Sequence, residues 1–181
     1  MSHKAVFLDR DGVINVDHGY VYQAEKFEFV EGVFEACRLF KAKGYKLIVV
    51  TNQSGIGRGY YSEADFAVLT QWMKTQFSEQ GCDIDAVYFC PHHPEKALPQ
   101  YLQQCDCRKP MPGMLLQGIA EFSLNASECV MIGDKSSDIK AAKAAGLGRA
   151  ILVRSGKELT DSGVQLADEI WDSLDCASSK F

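Results

Sequence analysis

The first residues whose type and spacing could support chemistry are Asp9 and Asp11, in the run Asp9-Arg10-Asp11-Gly12. They directly follow an apolar segment, residues 5–8, that has the composition of a buried strand. Aspartates two residues apart lie on the same side of an extended chain, so both carboxylates can face one pocket. Two carboxylates this close repel each other unless a cation joins them, and Mg²⁺ prefers such hard oxygen ligands. The alternative interpretation is a solvated turn that merely carries acidic side chains.

Three further groups could complete a phosphate site. Segment 51–55 (TNQSG) follows the second apolar run and offers a hydroxyl, amides and backbone N–H groups to phosphoryl oxygens. Arg108 and Lys109 could supply fixed positive charge for a phosphate. Asp134 follows the fourth apolar run and could add a carboxylate for the metal. Each group also has a structural interpretation, as a plain turn, a solvated charge pair and a helix N-cap respectively.

The elements that must position these residues alternate between short apolar runs and helical patterns. The runs lie at residues 5–8, 47–50, 87–90, 130–132 and 151–153. Helices are predicted over about 33–43, after a capping box at Ser62 and Asp65 up to Gly81, and shortly after Asp134. Right-handed crossovers between parallel strands put helices on both faces, so we predict a doubly wound, mainly parallel open α/β sheet. Ligands in such folds bind at the carboxyl ends of the strands, where the polar groups above are found.

Residues 90–110 break this alternation with an irregular segment rich in cysteine, histidine and proline. Cys90, Cys105 and Cys107 with one imidazole could form a closed tetrahedral zinc site, although free buried thiols remain the alternative. His92 and His93 are both available, and spacing alone does not choose between them. The other four cysteines fall within or beside predicted elements and are expected to be ordinary core or surface thiols: Cys37, Cys82, Cys129 and Cys176.

Bulk composition limits the class of protein. A chain of 181 residues fits one domain over residues 1–181, and a net charge of −5 gives no basic surface for nucleic acid. The first residues do not have the pattern of a signal peptide, and no apolar stretch approaches transmembrane length. We therefore expect a cytoplasmic monomer with reduced cysteines, whose partner is a small molecule rather than a nucleic acid or a membrane. After Arg154 a final strand and helix are expected to complete the fold.

The order of the polar groups resembles the haloacid dehalogenase (HAD) superfamily of aspartyl-phosphate phosphatases, from residue 5 to about residue 146. The matching pattern is Asp9-x-Asp11, then Thr51, then Lys109, then Gly133-Asp134-x-x-x-Asp138. The resemblance implies that Asp9 attacks phosphorus while Asp11 acts as general acid and then general base. It implies that Thr51 and Lys109 bind the phosphoryl group. It further implies that Asp9, Asp11 and Asp134 bind Mg²⁺, with Asp138 as a supporting acid.

Within that superfamily the cysteine-rich loop narrows the resemblance to two groups, the heptose bisphosphate phosphatases and the histidinol-phosphate phosphatases. The chain is more similar to the first group in three segments: Asn15-x-Asp17-x-Gly19-Tyr20, residues 52–59 (NQSGIGRG) and residues 108–114 (RKPMPGM). This resemblance implies a minimal cap, a small phosphorylated sugar as substrate and a role in lipopolysaccharide precursor synthesis. The resemblance also favours His92 over His93 and makes Cys90, His92, Cys105 and Cys107 the Zn²⁺ ligands. A zinc-stapled binding domain without turnover is the rival from another functional class.

Substrate-binding residues are carried over from the same resemblance. Asp17, His18, Gly19 and Tyr20 are expected to line the sugar site, together with Asn52, Gln53 and Ser54. Arg108 is expected to bind the second phosphate of a bisphosphate, and Lys135 to contact the phosphoryl group that is transferred. In this interpretation the zinc loop fixes Arg108 and Lys109 in front of the substrate.

Overall fold

The computed structural model describes residues 3–181, which form a six-stranded sheet in the order β3-β2-β1-β4-β5-β6, with every neighbouring pair parallel. The strands are β1 (Ala5–Leu8), β2 (Lys46–Asn52), β3 (Ala86–Cys90), β4 (Val130–Gly133), β5 (Arg149–Val153) and β6 (Glu169–Trp171). Each of the five apolar runs seen in the sequence is a strand. The predicted parallel open sheet is confirmed.

Helices connect the strands. They are α1 (Val33–Ala42), α2 (Ser54–Gly57), α3 (Glu63–Glu79), α4 (Gly113–Glu121), α5 (Ser136–Ala144), α6 (Asp161–Leu166) and α7 (Ala177–Lys180). The predicted capping box of α3 is present, since Ser62 Oγ accepts from the Asp65 backbone N–H and the Asp65 carboxylate accepts from the Ser62 N–H. None of the helices within residues 3–181 has both the length and the apolar character needed to cross a bilayer.

The core lies on both faces of the sheet because successive strand residues point to opposite sides. In β1 all four residues are buried; Val6 and Leu8 pack into one apolar cluster, whereas Ala5 and Phe7 pack into the other. This continuous burial is typical of a parallel strand covered by helices on both faces. It is the doubly wound arrangement predicted from the sequence.

Strand β1 is central, with β2 on one side and β4 on the other. The chain leaves β1 toward β2 and β3 on one side and later returns to β4 on the opposite side. Crossovers that diverge in this way open a crevice at the carboxyl ends of the two neighbouring strands. The sheet therefore brings the residues that follow β1, β2 and β4 to one place.

Candidate active site

Asp9 is the first residue after β1 and is buried, with 5% of its surface exposed. Its Oδ1 accepts from the Arg10 backbone N–H at 2.9 Å and from Lys109 Nζ at 3.0 Å. Burial acts to raise the pKa of Asp9, but the positive charges of Lys109 and Lys135 hold it below its ordinary value. Asp9 is therefore an ionised carboxylate, the form in which an aspartate acts as a nucleophile.

Lys109 is the buried cation of the site. Its Nζ lies 3.0 Å from Asp9 Oδ1, 2.6 Å from Asp138 Oδ1 and 2.8 Å from the Val50 carbonyl oxygen. Burial alone would lower the pKa of Lys109, but the negative charges of Asp138 and Asp9 raise it well above its ordinary value. Lys109 is thus positively charged and joins the ends of three segments that are distant in sequence.

Asp134 follows β4, and its carboxylate approaches those of Asp9 and Asp138 so that one oxygen of each lies within 4.8 Å of the others. Its Oδ2 accepts from the Lys157 backbone N–H at 2.9 Å, while its Oδ1 is buried without a hydrogen-bond partner. Burial, with the charges of Asp9 and Asp138, raises the pKa of Asp134 to about 8. A buried carboxylate oxygen without a partner, beside a second carboxylate, suits a divalent cation.

Two glycines leave room for this carboxylate. A Cβ built on Gly12 would lie 2.5 Å from Asp134 Oδ2, and one built on Gly156 would lie 2.1 Å from the same atom. Gly12 also has a φ of +88°, a conformation that glycine adopts without strain. Neither position can accept a side chain without moving Asp134.

Asp138 supports this cluster instead of adding a free ligand. Its Oδ2 accepts from the backbone N–H groups of Asp134 and Lys135, both at 3.1 Å, at the start of α5. Its Oδ1 is occupied by Lys109 Nζ. Both oxygens are therefore engaged, which agrees with the sequence expectation of a supporting acid near Asp134.

Asp11 faces the crevice but lies outside the cluster of three carboxylates. Its Oδ1 accepts from Arg10 Nη2 and Asn15 Nδ2, each at 3.0 Å, and its Oδ2 accepts from Gln53 Nε2 at 3.2 Å. The predicted role of Asp11 in acid/base catalysis fits a carboxylate held at the mouth of the site. Its predicted role as a Mg²⁺ ligand stays a prediction, since its side chain is turned to these three donors.

Residues 51–53, at the end of β2 and just beyond it, hold the site together. Thr51 is buried, and its Oγ1 accepts from Gln53 Nε2 at 2.8 Å. Asn52 uses both ends of its amide on the backbone of Lys109: Oδ1 accepts from the N–H at 3.0 Å and Nδ2 donates to the carbonyl at 3.2 Å. The Gln53 side chain is also bonded within the protein, and Ser54 begins α2. The amides of Asn52 and Gln53 are thus already paired within the protein, and their expected contacts with a sugar stay predictions.

A cleft of about 490 Å³ lies beside the buried cluster and is lined by Asp11, Gln53 and Lys109. Its lining includes most of the residues predicted to bind substrate: Asp17, Gly19, Tyr20, Asn52, Gln53, Ser54, Arg108 and Lys135. His18 does not line the cleft; its half-exposed ring pairs with Glu28, 3.1 Å from Nε2 to Oε1. The geometry of the cleft thus supports the predicted substrate face except at His18.

Lys157 is a residue of the cleft that the sequence did not indicate. Its N–H binds Asp134, and its Nζ lies 3.4 Å from Asp17 Oδ2. The only available signal was its location soon after β5, since loops at the carboxyl ends of parallel strands supply ligand contacts. An exposed lysine in a polar loop does not stand out in a sequence.

Cys90, His92, Cys105 and Cys107 form the second cluster of potential metal ligands, as predicted. The three sulfur atoms lie 2.9 to 3.5 Å apart, and His92 Nδ1 lies 3.6 Å from Cys90 Sγ and 3.5 Å from Cys107 Sγ. Burial raises the pKa of the Cys90 thiol. Three thiols and one imidazole converging on one point are the donor set of a structural zinc site.

His93 is engaged elsewhere. Its Nδ1 lies 3.1 Å from the Glu95 backbone N and 2.9 Å from the Lys96 backbone N, so it accepts from both N–H groups and closes a local turn. His92, in contrast, directs Nδ1 toward the sulfur atoms. The geometry therefore favours His92 as the nitrogen ligand.

Comparison with known proteins agrees with this geometry. Residues 106–176 match the HAD-hydrolase-like family model. The chain is 52% identical over 174 residues to D-glycero-beta-D-manno-heptose-1,7-bisphosphate 7-phosphatase of Vibrio cholerae serotype O1, covering 96% of this chain and 94% of that protein. It is 48% identical over 173 residues to the protein of that name in Escherichia coli K12, covering 96% and 91% respectively.

The fold is also similar to that of a solved heptose bisphosphate phosphatase. The D,D-heptose 1,7-bisphosphate phosphatase of B. bronchiseptica, crystallised with magnesium and phosphate, superimposes with a TM-score of 0.81 at 26% identity, covering 97% of this chain and 96% of that one. The chain belongs to the HAD-like hydrolases and, within them, to the D-glycero-beta-D-manno-heptose-1,7-bisphosphate 7-phosphatase family.

The raised pKa of Asp134 predicts how stability depends on pH without Mg²⁺. Between the ordinary aspartate value and about 8, the folded protein holds a proton that the unfolded chain has released, so this group makes the fold less stable as pH rises. The Asp134→Asn variant has no such proton to lose. In magnesium-free buffer the melting temperature of Asp134→Asn, relative to that of wild type, should therefore increase as the pH is raised from about 5 to 8.

Addition of Mg²⁺ should then raise the melting temperature of wild type more than that of Asp134→Asn, because only the wild type has the carboxylate predicted to bind the ion. The exposed Asp83 supplies the control, and Asp83→Asn should follow the wild type at every pH. Parallel curves for wild type and Asp134→Asn would contradict the environment assigned to this carboxylate.

Proposed function

We propose that this protein hydrolyses the C7 phosphate of D-glycero-β-D-manno-heptose 1,7-bisphosphate, giving heptose 1-phosphate and inorganic phosphate. The observation that carries the proposal is the ionised Asp9 carboxylate bound to Lys109 beside a polar cleft, in a chain that is 52% identical to a phosphatase of that name. The β anomer follows the names of the relatives. The product would serve as a precursor of nucleotide-activated heptose for lipopolysaccharide, made in the cytoplasm.

The reaction would proceed through two displacements at phosphorus. A carboxylate oxygen of Asp9 attacks the C7 phosphoryl group, the bond between phosphorus and O7 breaks, and Asp11 gives a proton to O7. Asp11, now a carboxylate, then takes a proton from water, whose oxygen attacks the aspartyl phosphate. Inorganic phosphate leaves and Asp9 is restored. General acid/base catalysis of this kind contributes about 10²–10⁴-fold to the rate.

Positive charge must offset the approach of one anion to another. Lys109 lies 3.0 Å from Asp9 Oδ1 and is held in place by Asp138, so it can bind the phosphoryl group together with Thr51 and Lys135. Asp9 and Asp134 are the side chains that would hold Mg²⁺. When bound, this ion would neutralise part of the negative charge on the phosphoryl group and on Asp9.

The second phosphate of the substrate requires cations away from the reacting centre. Arg108 and Lys157 line the cleft outside the buried cluster and are candidates for this contact. The guanidinium of Arg108 suits a phosphate because its planar N–H groups can bind two oxygens. Asp17, next to Lys157 and Gly19, is available to the sugar hydroxyls.

Zinc bound to Cys90, His92, Cys105 and Cys107 would fix the loop that carries these cations. Cys107 directly precedes Arg108, and Asn52 binds the backbone of Lys109 on the other side. The segment is thus attached both to the cysteine cluster and to the end of β2. We propose that this closed zinc site is structural and holds Arg108 toward the substrate.

The substrate assignment predicts a clear preference in a direct comparison. Purified enzyme with Mg²⁺ should release phosphate from heptose 1,7-bisphosphate with a kcat/KM at least about 10²-fold above that for histidinol phosphate, which has no second phosphate to bind Arg108. The α and β anomers should be assayed separately, with the β anomer preferred. A higher kcat/KM for histidinol phosphate would contradict the substrate proposed.

The nucleophile is tested by Asp9→Asn, which keeps the shape of the side chain and removes its charge. Phosphate release should fall by at least about 10³-fold, because the aspartyl phosphate can no longer form. Circular dichroism should show an unchanged fold, and Asp83→Asn on the surface should keep wild-type activity. Equal activity of wild type and Asp9→Asn would exclude this nucleophile. Absence of turnover in the wild type on any phosphate ester would favour a binding domain.

The zinc site predicts about one equivalent of Zn²⁺ per chain by elemental analysis. Replacing a ligand in Cys105→Ser should reduce the zinc content and lower the melting temperature, because metal binding stabilises only the folded chain. Cys176→Ser changes a cysteine outside the cluster and should leave the zinc content unchanged. A zinc-free protein with the same melting temperature would contradict the site.

A further inference from the structure

The side chain of Gln53 connects two residues that the proposed reaction needs. Gln53 is buried, with 3% of its surface exposed. Its Nε2 donates to Thr51 Oγ1 at 2.8 Å and to Asp11 Oδ2 at 3.2 Å, and its Oε1 accepts from the Tyr61 hydroxyl. Both N–H groups and the carbonyl oxygen are thus bonded within the protein.

The Asp11 carboxylate decides which way this amide faces. A carboxylate can only accept a hydrogen bond, so the nitrogen of Gln53 is directed to Asp11, and its oxygen accepts from the Tyr61 hydroxyl on the opposite side. Burial raises the pKa of Tyr61 to about 12, so the phenol keeps its proton. The ring is itself fixed, since it stacks on Tyr22 with the ring centres 5.1 Å apart and the planes at 7°.

The bond from Gln53 determines what the Thr51 hydroxyl can offer. Because Thr51 Oγ1 receives an N–H from Gln53, its own proton must point elsewhere. Within the protein Thr51 Oγ1 lies 3.4 Å from the Asn52 carbonyl oxygen, which is a long contact for that proton. The proton is therefore available to a bound phosphoryl oxygen.

The same amide fixes the Asp11 carboxylate. Arg10 and Asn15, from the loop that follows β1, bind Oδ1, and Arg10 also reaches Oδ2 at 3.3 Å; Gln53 binds Oδ2 at 3.2 Å from just beyond the end of β2. Asp11 has about 20% of its side chain exposed, so without these contacts it could rotate toward solvent. Gln53 supplies the one hydrogen bond to Asp11 that comes from outside its own loop among the described residues.

We propose that Gln53, anchored by the hydrogen bond from Tyr61, is a positioning residue that holds the Asp11 general acid and the Thr51 hydroxyl in the arrangement needed for phosphoryl transfer. The proposal rests on the proposed function for its choice of general acid. It replaces the sugar contact expected of Gln53 with a role inside the protein. Proton transfer to a departing oxygen depends on such alignment, because the donor must lie within hydrogen-bond reach of that oxygen.

Leaving groups of different acidity separate this role from a general structural one. A sugar alkoxide must receive a proton as it departs, whereas p-nitrophenolate is stable enough to leave without one. The kcat/KM value covers the steps up to release of the first product, so it reports this protonation. A misplaced Asp11 should therefore reduce kcat/KM for a sugar phosphate far more than for p-nitrophenyl phosphate.

The variants are Gln53→Met, which keeps the length of the side chain and removes the amide, and Tyr61→Phe, which removes only the hydroxyl. We expect Gln53→Met to lower kcat/KM for heptose bisphosphate by about 10²-fold and for p-nitrophenyl phosphate by less than about 10-fold. Tyr61→Phe should show the same selectivity with a smaller loss. The exposed Gln71 gives the control, and Gln71→Met should behave as wild type on both substrates.

Equal losses on the two substrates would overturn the proposal, since a general disturbance of the site affects both. A rise in KM for the sugar at unchanged kcat would also overturn it and would restore Gln53 as a sugar contact. If Gln53→Met does not fold, Tyr61→Phe decides alone. If the wild type prefers another alkyl phosphate, the proposed substrate fails, but the same comparison on that ester still tests Gln53.

Discussion

The buried ion pairs of Lys109 with Asp9 and Asp138 are the interaction on which the rest of the structure depends. Three buried carboxyl groups, those of Asp9, Asp134 and Asp138, lie together. The Nζ of Lys109 offsets the charges of Asp9 and Asp138, at 3.0 and 2.6 Å, whereas the pKa of Asp134 is raised to about 8, so that this group keeps its proton at neutral pH until a cation replaces it. The third, Asp134, keeps one oxygen without a partner. The site is therefore already arranged to receive further positive charge.

The surrounding elements are built to hold that lysine. Asn52, at the end of β2, binds both the N–H and the carbonyl of Lys109. The strand and the cysteine-rich loop are therefore joined at the lysine that pairs with Asp9. Asp138 caps the first turn of α5 with one oxygen and binds Lys109 with the other. A single aspartate thus connects a helix terminus to the buried cation. Truncation of either residue would leave a buried charge or amide without its partner, which is costly.

A second network places acid/base chemistry at the edge of this buried cluster. Gln53 is its centre: the amide accepts from Tyr61 and donates to both Thr51 and Asp11. The two networks meet in the segment 51–53, where Asn52 faces the lysine loop and Gln53 faces Asp11. Alternation of side chains along an extended backbone allows neighbouring residues to serve opposite sides of one site. The short segment at the end of β2 therefore aligns both the fixed cation and the general acid.

The sequence by itself determined the parallel sheet and the meeting of Asp9 and Asp134 at its edge, because apolar runs predict the strands and the carboxyl ends of neighbouring parallel strands lie together. The spacing of the cysteines indicated a possible metal cluster, and the family resemblance added Thr51, Lys109 and the choice of His92. The sequence did not reveal the pairing of Asn52 with Lys109, the orientation of Gln53, the displacement of His18 from the cleft or the presence of Lys157. These features depend on partners distant along the chain: Gln53 meets a residue 42 positions away, and Asn52 one 57 positions away. Side-chain amides pair according to the donors and acceptors that folding brings near them, and only the tertiary structure decides which those are.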